Sequence, residues 1–178
     1  MDQELAESRC YQSAKDHRRD GVETLSPRLL AREDLLDDRF LMLNGDVLTD
    51  LDLTAQLAQH EATGARATLA LTPVEDPSAY GLVRLTPGNE VTEFVEKPSA
   101  DQIDTNLISA GAYIFERSVV DLIEPDRNVS IEREIFPALI EAGHHVTGFL
   151  ADAYWIDLGT PEKYLQAHFD LLAGEVAG

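Results

Sequence analysis

Phe40 to Leu43 is a short, wholly apolar run closed by Asn44-Gly45-Asp46. That pattern predicts a central strand buried on both faces and ended by a turn. Beyond it, apolar positions alternate between strand and helix spacing. Asp52 is placed to cap a helix from about Leu53 to Thr63, with Gly64 as its stop. Ala67 to Val74 reads as the next strand, and Gly81 to Thr86 and Glu90 to Val95 flank Pro87-Gly88-Asn89 as a hairpin. Leu107 to Phe115 is a strand interrupted by Gly111, and Val119 to Ile123 a short helix. Ser130 can cap a helix running toward Gly143, which Pro137 should kink or split. His145 to Leu150 is a strand, and Thr160-Pro161-Glu162 opens the last helix with a cap, a first-turn proline and an acid near the positive end of the dipole. These elements predict an α/β domain, a mixed sheet flanked by helices.

Ahead of Phe40 the pattern weakens. In the first 25 residues only Leu5, Cys10, Tyr11, Val22 and Leu25 are large apolar or thiol positions, which predicts a weakly structured or loosely docked segment. Leu29, Leu30, Leu35 and Leu36, after Pro27, allow a short helix. The expected organisation is a divergent N-terminal segment over 1–34 and one domain over 35–178.

Composition narrows the function. A chain of 178 residues, 44% hydrophobic and 26% charged, is long enough to bury a core without staples, and its single cysteine rules out an intramolecular disulfide. No apolar run approaches the roughly 20 residues of a membrane helix, and the start MDQELAESRC has no signal-peptide core, so the expected location is the cytoplasm. With 33 acidic against 14 basic residues the net charge of −19 opposes gripping nucleic acid or anionic lipid. Most of the excess lies after residue 40, where 23 acids face 7 bases. Only Lys15, Lys97 and Lys163 are lysines, and such an acid-rich, lysine-poor chain fits a very salty cytosol.

Three segments carry candidate chemistry. In Leu43-Asn44-Gly45-Asp46-Val47 a carboxylate sits just past a strand end, where α/β sheets place ligand-binding groups. In Val95-Glu96-Lys97-Pro98 an acid and a base stand side by side at the end of a hairpin strand, before a proline. In Tyr154-Trp155-Ile156-Asp157-Leu158-Gly159-Thr160-Pro161 an acid precedes a glycine turn and a helix cap. Taken singly, Asp46 also reads as a turn former and Lys97 as a solvated hairpin-end charge. Trp155 reads as packing, His144-His145 as a loop without ligand partners at helical spacing, and Asp37-Asp38 as a solvated helix end.

Together, in this order and spacing, the three segments resemble the sugar-1-phosphate nucleotidyltransferases, in wording closest to the glucose-1-phosphate thymidylyltransferase type. Tyr80-Gly81-Leu82-Val83 and Asn106-Leu107-Ile108-Ser109-Ala110-Gly111-Ala112-Tyr113 extend the resemblance, which runs from about Leu35 to Leu172. It implies an incomplete Rossmann-like, nucleotide-diphospho-sugar transferase domain. It also implies that a sugar 1-phosphate attacks the α-phosphorus of a nucleoside triphosphate in line, releasing pyrophosphate. Mg²⁺ would lie between Asp46 and Asp157, Lys97 would contact the sugar phosphate, and Glu96, the backbone at Gly81, and Asn106 would hold the sugar. At Ser109 many relatives would show asparagine. Such chemistry brings two polyanions together, which suits hard oxygen ligands and a mobile ammonium.

The family pattern also implies an upstream loop of the form G-G-x-G-T-R-L, and nothing in the 43 residues before Asn44 resembles it. The expectation is a chain that keeps a sugar-phosphate and metal half without a nucleotide half, weak or inactive alone. The strand at Phe40 would then present an open apolar edge, inviting pairing with residues 1–25, another copy or a complementing subunit. Two other functions stay open: a non-catalytic sugar-phosphate-binding homologue, and a glycosyltransferase using Asp50-Leu51-Asp52 as a D-x-D motif, although a helix cap accounts for those aspartates more simply. Glucose-directed thymidylyl or uridylyl transfer is the first specificity suggested, and guanylyl transfer to mannose 1-phosphate the second.

Overall fold

The computed structural model describes residues 24–25, 38–123 and 129–177. The chain runs β1 (Thr24–Leu25), β2 (Arg39–Leu43), β3 (Val47–Thr49), α1 (Leu53–Thr63), β4 (Ala67–Pro73), β5 (Gly81–Leu85), β6 (Val91–Glu96), β7 (Leu107–Glu116), β8 (Val129–Ser130), α2 (Phe136–Glu141), β9 (Val146–Leu150), β10 (Trp155–Asp157) and α3 (Pro161–Ala173). The main sheet has the order β6-β5-β7-β4-β9, with β2 also paired to β7. Its β4–β9 pair is parallel, while β7 is antiparallel to β4, β5 and β2, so the sheet is mixed as expected.

Strand β4 organises the core because both of its faces are covered. Ala67, Leu69 and Leu71 point to one side and join Tyr113, Phe115, Phe136 and Leu139. There the Phe136 ring lies 5.4 Å from Tyr113 and 5.8 Å from Phe115, so the turn of chain entering α2 is stapled to the sheet by aromatic packing. The opposite face of β4 carries Thr68, Ala70 and Thr72, and neighbouring β7 positions there are small, Ala110 and Ala112. That flat, polar face receives α1. His60 Nδ1 is 2.8 Å from Thr68 Oγ1, His60 Nε2 is 3.1 Å from Glu116 Oε1, and Thr68 Oγ1 continues to Thr147 Oγ1 at 3.0 Å.

Several elements end where the sequence says they should. Asp52 Oδ1 accepts the Ala55 N–H at 2.9 Å to cap α1, and Gly64 closes it at φ 61°. Thr160 caps α3 through the Lys163 N–H, with Pro161 in the first turn. Asn89, at φ 63°, turns the β5–β6 hairpin.

Other expectations are corrected. The strand at Phe40 is not buried on both faces: Phe40 and Met42 pack on the core, but Leu41 and Leu43 are 45% and 47% exposed. Among the described residues β2 pairs only with β7. Thr24–Leu25 pair with β8 rather than with β2. The Val119 helix is a 3₁₀ segment over Arg117–Leu122. The helix capped by Ser130 is split, as expected from Pro137: Ile131–Ile135 wind as a π turn, with the Phe136 N–H reaching back to the Ile131 carbonyl, and α2 begins just before Pro137. Proline has no N–H to continue the tighter ladder, which accounts for the change of winding. The expected helix over 29–36, Asp37 and Cys10 lie outside the described residues.

Candidate functional site

A bulge in β7 builds the site's foundation. Between Leu69 and Leu71 of β4 the register on β7 jumps from Tyr113 to Ser109, and Gly111 at the jump has φ 74°. Three successive carbonyls then accept bonds from three different elements. Ala110 takes the Trp155 Nε1–H at 3.0 Å, Gly111 the Asn44 N–H at 2.8 Å, and Ala112 the Gln56 Nε2–H at 3.2 Å. Asn44 stands two residues before Asp46 and Trp155 two before Asp157, so one irregularity seats both acidic segments.

A ribbon then draws those segments together. Strands β3 and β10 pair antiparallel with Val47 opposite Asp157, and the Leu158 N–H donates to the Asp46 carbonyl at 2.7 Å. Asp46 and Asp157, 111 positions apart in the chain, thus occupy adjoining positions on neighbouring segments. The Asp157 carboxylate is partly buried and held at both oxygens. Oδ1 accepts the Gly159 N–H at 2.7 Å, and Oδ2 lies 3.5 Å from Lys163 Nζ.

Lys163 was not singled out by the sequence reading. From the first turn of α3 its ammonium also donates to the Tyr80 hydroxyl at 2.6 Å. It lies 5.2 Å from the Tyr80 ring centre, a distance that puts it at the hydroxyl rim rather than over the π face. The bond to Tyr80 raises the Lys163 pKa, helped by the Asp157 charge and opposed by partial burial. The scarcity of lysine that draws attention to Lys97 applies equally to Lys163, and was the available signal.

Of the residues that the resemblance assigns to the sugar side, Gly81, Glu96 and Lys97 meet at one end of the β5–β6 hairpin. Gly81 pairs with Glu96, and a Cβ on Gly81 would lie 2.3 Å from the Phe94 ring, so packing alone already demands glycine there. Glu96 is largely buried, 3.8 Å from Arg133 Nη2. Lys97 is exposed with φ 51°, an uncommon conformation for a side-chain-bearing residue, and its N–H donates to the Tyr80 carbonyl at 3.1 Å. Tyr80 therefore links the two groups, its carbonyl to Lys97 and its hydroxyl to Lys163, while its ring meets Trp155 edge-on at 5.5 Å. Asn106 stands apart on the approach to β7, exposed, its carbonyl accepting the Val74 N–H at 3.0 Å. Ser109 is turned into the core, where Oγ meets the Tyr113 hydroxyl at 2.8 Å.

The alternative motifs are accounted for structurally. Asp50 accepts the Tyr154 N–H at 2.7 Å and the Ala177 N–H at 2.9 Å, and Asp52 caps α1, so the D-x-D aspartates both hold backbone. His144 and His145 lie in the turn before β9, the backbone of each bonded within the fold. Trp155 packs against Ala70, Ala110 and Ala112. Among the described residues no cluster of three or more His, Cys, Asp or Glu forms a metal cage. Asp46 and Asp157 each carry hard carboxylate oxygens, the donor type that divalent cations such as Mg²⁺ take.

Comparison with known proteins identifies the family. The chain is 41% identical over 141 residues to a mannose-1-phosphate guanylyltransferase of Mycobacterium tuberculosis, covering 79% of this chain and 39% of that protein. It is 36% identical over 152 residues to the mannose-1-phosphate guanylyltransferase catalytic subunit beta of Xenopus tropicalis, covering 84% and 41%. The chain thus spans about two fifths of the length of these curated relatives. A solved structure described as a glucose-1-phosphate thymidylyltransferase from Bacillus anthracis in complex with sucrose superposes with a TM-score of 0.72 at 20% identity, over 90% of this chain and 65% of that one, which shows a shared fold. The sequence profile of the nucleotidyl transferase family matches residues 3–174, starting well upstream of the Leu35 at which the motif wording begins. The chain belongs to the nucleotidyl transferase family.

Proposed function

We propose that this chain forms the sugar-phosphate and cation-binding part of an enzyme that transfers a guanylyl group to mannose 1-phosphate with release of pyrophosphate. The observation that carries the reading is the β3–β10 ribbon, which sets Asp46 beside the Asp157 segment, with Tyr80 tying that pair to the Lys97 hairpin. The guanylyltransferase relatives favour mannose and guanine over the glucose and thymine or uracil that the motif wording put first.

Members of the family use a divalent cation, and Asp46 and Asp157 would hold Mg²⁺ here. When bound, it would neutralise phosphate charge and fix the α-phosphate for in-line attack. Lys97 binds the sugar phosphate as a flexible point charge, lowering the repulsion between the two anions without consuming the nucleophile. Glu96 accepts from sugar hydroxyls, the backbone at Gly81 borders the ring, and Asn106 adds a further contact. A sugar phosphate oxygen bonds to the α-phosphorus as the bond to the pyrophosphate oxygen breaks. The setting is cytoplasmic; among the described residues no helix is long and apolar enough to cross a membrane. The edge of β2 that has no partner among the described residues fits a second copy or a complementing subunit, and the Xenopus tropicalis relative is itself named as a catalytic subunit. A sugar-phosphate-binding role without catalysis is the second reading.

Pyrophosphate release at high salt over a panel of triphosphates and sugar phosphates, together with titration calorimetry of mannose 1-phosphate, tests the reading. GTP with mannose 1-phosphate should be the preferred pair, and Asp46→Ala and Asp157→Ala should each abolish turnover, an effect of about a hundredfold or more. Lys97→Ala should weaken mannose 1-phosphate binding about tenfold. Binding without turnover for any pair supports the second reading. Activity or binding indifferent to all three substitutions overturns both.

A further inference from the structure

Lys163 holds a position that the proposed chemistry does not use. Its ammonium lies 3.5 Å from the Asp157 oxygen left over after the Gly159 N–H has taken the other, and 2.6 Å from the Tyr80 hydroxyl. It reaches both from a backbone fixed by the Thr160 cap in the first turn of α3. The ammonium therefore has two seats, one neutral and one anionic, and the anionic seat is the carboxylate to which the cation is assigned.

We propose that Lys163 is a positioning residue acting as a built-in competitor for the divalent cation at Asp157, setting how tightly the metal is held. The inference rests on the assignment of Asp46 and Asp157 as cation ligands. A monovalent ammonium beside Asp157 supplies the countercharge that keeps the carboxylate oriented before the metal arrives. It also repels an incoming divalent ion, and that repulsion at a few ångströms in a partly buried site is large enough to change affinity by about tenfold. The Tyr80 hydroxyl is the seat to which the ammonium withdraws, so cation entry at Asp157 and the backbone contact to Lys97 meet at one residue.

This competitor role and a merely structural role predict opposite signs. Were Lys163 only a brace, its removal would loosen Asp157 and weaken cation binding. As a competitor, its removal strengthens binding. The single tryptophan, Trp155, lies two residues from Asp157 and reports on this site even though the acidic surface collects ions elsewhere. Tb³⁺ luminescence sensitised through Trp155, with Mg²⁺ displacing Tb³⁺, gives the affinity without any assay of turnover. The expected results are about tenfold tighter binding in Lys163→Met, a difference that shrinks as salt rises, wild-type affinity in Lys163→Arg, and several-fold weaker binding in Tyr80→Phe, where the ammonium has lost its neutral seat. Thermal unfolding of each variant confirms a folded chain. Equal or weaker binding in a folded Lys163→Met overturns the competitor role. A Trp155-sensitised signal indifferent to both Asp46→Asn and Asp157→Asn overturns instead the cation assignment on which it rests.

Discussion

Replacing Gly111 with alanine should damage the fold and the site together, and a second glycine provides the control. Gly111 has φ 74°, and a Cβ there would lie 2.6 Å from Asn44 Nδ2, 2.8 Å from its Cγ and 2.9 Å from its Cβ. Gly64, at the end of α1, has nearly the same conformation, φ 61°, and no atom within 4 Å of an added Cβ. Both substitutions incur the left-handed backbone cost of about 1–2 kcal/mol, offset by about 0.4–1 kcal/mol from the stiffer unfolded chain. Gly64→Ala should therefore lose about 1 kcal/mol. Gly111→Ala must in addition swing Asn44 away, and with it the turn whose N–H meets the Gly111 carbonyl, a further loss of about 2 kcal/mol. Urea denaturation of the two variants isolates that difference, because the backbone contribution is common to both. Gly111→Ala should also lower Tb³⁺ affinity at the Trp155-sensitised site, whereas Gly64→Ala should leave it unchanged. Equal destabilisation by the two substitutions would refute the claim that Gly111 is where Asn44 is seated.

Two further outcomes follow from buried polar contacts. His60→Leu removes the link between Thr68 and Glu116 beneath α1, and should cost about 2 kcal/mol, read as a lower urea midpoint with an unchanged slope; a loss under about 0.5 kcal/mol would show the contact to be idle. The Tyr154 phenol is pushed up to about 12 by desolvation and by its bond to Asp170, so the folded chain keeps a proton that the unfolded chain releases near pH 10. Its contribution is complete below about pH 10 and is lost as pH rises through about 12, so Tyr154→Phe should show a shallower alkaline decline in stability; parallel alkaline limbs for the two proteins would count against it.

The larger elements were legible in the sequence because each has a local cause. Asp52, Gly64, Thr160 and Pro161 mark helix ends through caps and backbone preferences that act within a few residues. The ribbon that joins the candidate acids was not legible, since three-residue strands such as Val47–Thr49 and Trp155–Asp157 are too short to display an alternation. Helix α1 misleads in a different way. It buries Gln56 and His60 while leaving Leu57 38% exposed, because the facing surface offers the Thr68 and Ala112 carbonyls and the Thr68 hydroxyl, which need polar partners. The exposure of Leu41 and Leu43 was hidden because what covers a strand's face is decided by distant chain, not by the strand. At the site, Asp46, Glu96, Lys97 and Asp157 stood out through their motifs, whereas Lys163 and the Tyr80 hydroxyl gain meaning only once the helix is folded back.

The β3–β10 ribbon has a consequence for the order in which the molecule assembles. It closes a loop of roughly a hundred residues and returns three residue pairs, a slow and weakly rewarded step compared with the local hairpin of β5 and β6. The acidic pair should therefore be the last part to form during folding and the first to open in mild denaturant, while the aromatic interior stays closed. A nascent chain would carry Asp46 without its partner segment until β10 had emerged.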